Sequence, residues 1–195
     1  MLGSAPMGDS LASLKQPDQR SCGATCLVVA RALLDDQYAQ RCEEPARFRE
    51  EVLAMHRRTT SLADVRGHLQ LPWPRAIGTP PWAMASQLEW TAKCEYDVVP
   101  VRQGGRHQAF DQLLAAEVPA AIYVGDRWLP RHVVLVIGHK GDALDLYDPG
   151  RGVLASRDRA HFVDADLSLS GWQVPWMVVA PQRQRLMLPA GRSQA

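Results

Sequence analysis

The sequence predicts an α+β fold in which helices come first and a sheet follows. Three observations predict it. Apolar residues recur at helical spacing from residue 22 to residue 90, and the period turns strand-like after residue 94. Turn signals such as Gly-Asp and Asp-Pro-Gly then separate short apolar runs up to residue 180. With 195 residues, 46% of them hydrophobic and 22% charged, the chain can bury one core without disulfide staples.

Residues 1–15 are small and polar and read as a flexible lead-in; 16–180 form one domain, and 181–195, rich in arginine, read as a loose basic tail. Ser21 is an N-cap candidate for a helix from about residue 22, where Cys26, Val29, Ala30, Leu33 and Leu34 share a face. Pro45 opens a second helix carrying Phe48, Val52 and Met55, and Ser61 is expected to cap a short third one over Leu62, Val65 and Leu69. Thr79, followed by two prolines, is expected to cap a fourth helix running to Trp90. Cys94, Tyr96 and Val98 alternate as a strand, and Phe110, Leu113 and Leu114 mark a fifth helix that ends before Pro119. Strands are expected at Ala120–Val124, His132–Gly138, Ala143–Asp148 and Pro175–Ala180.

The charge pattern excludes field-driven partners. Twenty-two basic against 21 acidic residues leave a net charge of +1, which gives no electrostatic case for nucleic acid. The first ten residues have neither a basic start nor an apolar block, so no signal peptide is expected, and no apolar run approaches the length of a membrane span. The expected location is the cytoplasm, or outside the cell by a route that needs no signal peptide. Four cysteines, at 22, 26, 42 and 94, are too few for a disulfide framework and lack the paired spacing of a zinc site.

Each thiol is therefore weighed by its setting. Cys22 would stand in the first turn of its helix, where the unsatisfied backbone N–H groups favour a thiolate. Gly23 after it leaves room for a substrate carbonyl, whereas Cys26, one turn deeper among apolar residues, suits the core, and Cys42 and Cys94 are bystanders. A nucleophilic thiol needs an imidazole partner. Of six histidines, His56 is expected on a helix surface beside Arg57 and Arg58, and His68, His107, His139 and His161 in helix ends, turns or charged surroundings. His132 opens the strand HVVLVIG behind a turn-rich stretch, where a loop can present it to a cleft.

If that strand pairs with 143–148, ladder counting puts Asp148 opposite His132 to within a residue, so that it can orient the imidazole while also starting the Asp-Pro-Gly turn. Gln16, six residues before Cys22, is the candidate oxyanion donor, with Gln19 its competitor. Trp172 and Trp176 flank the last strand as core residues first and as shelter for the His132–Asp148 pair second, and Trp73 and Trp82 are candidates for a groove wall.

Residues 16–27, Gln-Pro-Asp-Gln-Arg-Ser-Cys-Gly-Ala-Thr-Cys-Leu, resemble the Gln-x5-Cys-Gly-x-x-Cys block of papain-like cysteine peptidases, most closely the bacterial double-glycine, bacteriocin-processing branch. Arg131–Val136 resembles that branch's histidine strand, and Leu146–Gly150 its Asp-Pro block; Ser21 stands where many relatives carry Asp. The resemblance implies a papain-like fold with Cys22 as nucleophile, His132 and Asp148 completing a triad, and Gln16 in the oxyanion hole. It implies hydrolysis of a protein or peptide substrate through a thioester, with no metal and no organic cofactor, and with cleavage after small residues such as Gly-Gly. Because no transporter domain follows in the sequence, the expected setting is a stand-alone bacterial effector with an immunity or secretion partner. Two alternatives stay open: glutamine deamidation or transamidation on the same residues, as in transglutaminase-like toxins, and a non-catalytic binding module.

Overall fold

The computed structural model describes residues 14–182. Helix α1 (Cys22–Ala32) starts at the expected residue, followed by α2 (Asp36–Cys42), α3 (Pro45–Thr59), a 3-10 turn at Arg75–Ile77 and α4 (Pro81–Ala92). Every residue of α1 except Arg31 is buried, so this helix is packed on all sides. After β1 (Tyr96–Pro100) and α5 (Arg106–Leu114), the chain forms β2 (Ala120–Gly125), β3 (Pro130–Lys140), β4 (Ala143–Asp148), β5 (Val153–Asp158), α6 (Arg159–Val163) and β6 (Val174–Pro181). The six strands make one sheet in the order β1-β6-β2-β3-β4-β5, with every neighbouring pair antiparallel. The α+β class and the helix-first order are as predicted. Among the described residues no helix is long and apolar enough to cross a membrane.

Alternation along the central strands divides the core. Ala121, Tyr123, Val133 and Leu135 pack with residues of α1 to α4 on one face. Ile122, Val124, Val134 and Val136 pack with Phe110, Phe162 and Leu167 on the other. The central helix is thus pressed against the middle of the sheet, and this contact brings the N-terminus of α1 to the start of β3.

The differences from expectation have local causes. No helix forms over 62–69: the Asp64 carboxylate accepts the N–H groups of Arg66 and His68, each at 2.8 Å, and Gly67 turns at φ 83°. An aspartate that captures neighbouring N–H groups competes directly with the helix ladder. Leu62 and Leu69 consequently stay exposed. Pro80, not Thr79, is the N-cap of α4, with Pro81 in its first turn; the Thr79 side chain caps nothing. Strand β5, which buries none of its residues at the sheet edge, and the short helices α2 and α6 carry too weak a pattern for the sequence reading to find them. His56 is buried rather than on the surface, with its Nε2 3.2 Å from the Arg75 carbonyl. Leu14, expected in the lead-in, is packed: its carbonyl accepts from the Tyr147 hydroxyl at 2.7 Å. Residues 1–13 and 183–195, most of the expected lead-in and tail, lie outside the described residues.

Candidate active site

Cys22 is the first residue of α1, and the first N–H to bond back along the helix is that of Thr25, to the Ser21 carbonyl at 2.8 Å. The Cys22 thiol therefore stands among backbone N–H groups that have no intrahelical acceptor. Ser21 holds the N-cap position, but its hydroxyl donates to the Asp18 carbonyl at 3.3 Å instead of capping the helix.

The turn bearing Cys22 is clamped from below. A Cβ on Gly23 would lie 2.7 Å from the Thr79 Cβ and 2.9 Å from its Oγ1, so only glycine lets the segment before α4 approach this closely. The Tyr123 hydroxyl of β2 donates to the Thr79 carbonyl at 2.8 Å and ties that segment to the sheet. One turn further along α1, the Cys26 thiol donates to the Val133 carbonyl at 3.5 Å, linking the helix to the residue next to His132. Burial drives the Cys26 thiol well above its ordinary pKa. All four cysteines are free.

His132 and Asp148 meet inside the protein. His132 Nε2 lies 2.7 Å from Asp148 Oδ1, with the two residues 6% and 1% exposed. An ionised carboxylate only accepts, so Nε2 carries a proton and donates, leaving Nδ1 as the free nitrogen. The Cys22 thiol is the second side chain whose interaction with this imidazole favours its charged form. Burial works against the charged ring, but the bond to Asp148 and the interaction with Cys22 outweigh it and hold the His132 pKa up at about 9. Burial likewise opposes ionisation of Asp148, and here the bonds from His132, Ser170 and Gly150 prevail, keeping its carboxyl below the ordinary value. Cys22, His132 and Asp148, 126 positions apart along the chain, thus converge on one imidazole ring.

The meeting is diagonal rather than direct. Leu135 pairs with Tyr147 and Val136 with Leu146, so the same register puts Asp148 across from Val134, two residues from His132. The offset arises at the hairpin turn, where β3 runs on until Lys140 pairs with Ala143; a bulge between Val136 and Gly138 takes back one residue of it, since without the bulge Asp148 would face Leu135. Diagonal neighbours two residues apart remain within reach of a long side chain. Asp148 also starts its turn, as expected: it accepts the Gly150 N–H at 3.0 Å through its side chain and the Gly152 N–H at 2.8 Å through its carbonyl. Gly150 is required for space. A Cβ there would sit 2.5 Å from Ser170 Oγ, 3.2 Å from His132 Cε1 and 3.3 Å from Asp148 Oδ1.

Gln16 is carried to this corner by the sheet, because its N–H donates to the Pro149 carbonyl at 2.9 Å. Its side-chain amide is oriented by a 2.6 Å bond from Nε2 to the Asp18 carbonyl, which leaves the second amide hydrogen free. Gln19, its competitor, is exposed in the turn before α1. Trp176 packs against the helical core and donates from Nε1 to the Asp126 carbonyl at 2.9 Å, while Trp172 packs on the opposite core. Trp73 and Trp82 pack edge to face, 5.1 Å between centroids. Ser170 is the residue the sequence reading missed; its only sequence signal is a Ser-Gly pair in a turn, 22 residues after Asp148.

No family model matches the sequence, and no curated protein matches it. Among solved structures, one similar chain is the peptidase domain of Streptococcus ComA, a bi-functional ABC transporter involved in a quorum sensing pathway. It is 18% identical, with a TM-score of 0.46, over 87% of this chain and 97% of its own. The peptidase domain of Streptococcus mutans ComA is 15% identical, with a TM-score of 0.39, over 86% of this chain and 98% of its own.

Proposed function

We propose that this protein is a papain-like cysteine peptidase that hydrolyses peptide bonds through a thioester on Cys22. The observation that carries the reading is the buried His132–Asp148 pair at 2.7 Å, with the Cys22 thiol at the N-terminus of the central helix favouring the charged imidazole. The order Gln16, Cys22, His132, Asp148 along the chain and the three motif blocks around them support the same reading.

The chemistry follows from the protonation pattern. With His132 protonated near neutral pH, the Cys22 sulfur attacks the scissile carbonyl carbon and the carbonyl oxygen takes up the negative charge. The free amide hydrogen of Gln16 and the Cys22 N–H are the donors for that oxyanion. As the oxyanion collapses, the carbon–nitrogen bond breaks and His132 gives its proton to the leaving amine, which departs and leaves a thioester. His132, now neutral, takes a proton from water as the water attacks the thioester, and collapse releases the carboxylic acid, the thiolate and the imidazolium. Asp148 stays ionised throughout and holds the ring in one tautomer.

Mass spectrometry of a peptide library, with Cys22→Ala as the control, tests the reading. Chain scission lost in the variant supports it, with scission after Gly-Gly marking the double-glycine preference. A side-chain mass change without scission assigns the site to deamidation or transamidation instead, and scission that survives in Cys22→Ala overturns the reading.

A further inference from the structure

Asp148 is held by more than His132. Leu169 and Trp172 exchange two backbone hydrogen bonds, each of 2.9 Å, and so close a two-residue turn over Ser170 and Gly171. Both central residues are left-handed, at φ 48° and 87°, the pattern of a type I′ turn in which Asn, Asp or Gly is the usual first residue. Serine there gives up some turn stability, and its hydroxyl reaches Asp148 Oδ1 at 2.8 Å and Oδ2 at 2.7 Å. Oδ1 already accepts from His132 and from the Gly150 N–H, so the Ser170 hydroxyl is the donor available to Oδ2.

We infer that Ser170 is a positioning residue for the proposed triad, its hydroxyl locking the plane of the Asp148 carboxylate so that Oδ1 stays aimed at His132. Three donors from three separate segments, β3, the turn after β4 and the 169–172 hairpin, then fix both the rotation and the ionisation of one carboxylate. The inference rests on reading Cys22, His132 and Asp148 as a catalytic site.

Two substitutions separate the hydroxyl from the turn. Ser170→Gly removes the hydroxyl and relaxes the left-handed backbone, whereas Ser170→Thr keeps a hydroxyl and strains the turn through its β-branch. If the hydroxyl positions Asp148, the Asp148 carboxyl titration, followed by carbon-13 NMR, moves up by about one pH unit in Ser170→Gly and stays near wild type in Ser170→Thr. Peptide cleavage then shows kcat reduced about tenfold in Ser170→Gly with KM unchanged, and restored in Ser170→Thr. An unchanged Asp148 titration in Ser170→Gly, or an equal shift in both variants, overturns the inference. The titration needs no substrate, so a wild-type protein that cleaves no peptide would sink the proposed function while leaving the role of Ser170 decided by the NMR result alone.

Discussion

On the helical side of the site, Cys22 owes its position to neighbours in sequence: it begins α1, and Gly23 lets the Thr79 segment close beneath it. On the sheet side, His132 and Asp148 owe theirs to pairing between distant segments, a bulged register and a hairpin 22 residues beyond Asp148. In the proposed reaction the helical side contributes the attacking sulfur and the sheet side contributes the imidazole and carboxylate that move the proton. Local sequence can specify the first, whereas the second exists only after the strands have paired, so damage to the two sides should look different.

Removing either reacting partner is the largest perturbation. Cys22→Ala and His132→Ala are each expected to lower kcat/KM for peptide cleavage by about 10⁴-fold or more, measured on a fluorogenic substrate taken from the library profile. Gln16→Ala should cost about 10²-fold in kcat, the usual loss for one oxyanion donor, without altering the melting temperature. Gly23→Ala tests the helical side through packing. Its Cβ would press on Thr79, and thermal unfolding should show a loss of roughly 1–3 kcal/mol.

The sheet side should reveal itself in the pH dependence of stability. His132 is raised from 6.5 to about 9 in the folded protein, so its contribution is complete below about pH 6.5 and lost as the pH rises through 9. Asp148 is held below its ordinary value, so its contribution is present above about pH 4 and lost as the pH falls further. Denaturant titrations should therefore show stability falling between pH 6.5 and 9 more steeply in wild type than in His132→Ala. The smallest effect is expected from Cys26→Ala, about 1–2 kcal/mol for a small buried void, with cleavage retained.

These differences also explain what the sequence made legible. Helix α1, its first residue and the strand Ala143–Asp148 follow from periodicity and punctuation, both local signals. The Cys22–His132–Asp148 grouping was legible because each residue sits at the end of an element and the motif blocks keep their order. The 62–69 helix failed because Asp64 took the backbone N–H groups that a helix would have used. The one-residue count for His132 and Asp148 failed at the hairpin turn, because β3 runs past Gly138 to Lys140 through polar residues that carry no strand pattern. Ser170 was invisible because its role depends on a hairpin folding back onto Asp148, a contact that no local pattern encodes.

Competition between two thiols tests the central claim most directly. Cys94 is exposed, whereas Cys22 is 7% exposed, so on access alone Cys94 should react first with iodoacetamide. Peptide mapping after limited alkylation at pH 6.5 is predicted to find Cys22 labelled first in the wild-type protein and Cys94 first in His132→Ala. Preferential labelling of Cys94 in both proteins, or a Cys22 rate unchanged by loss of the imidazole, would contradict a nucleophile activated by His132 and Asp148.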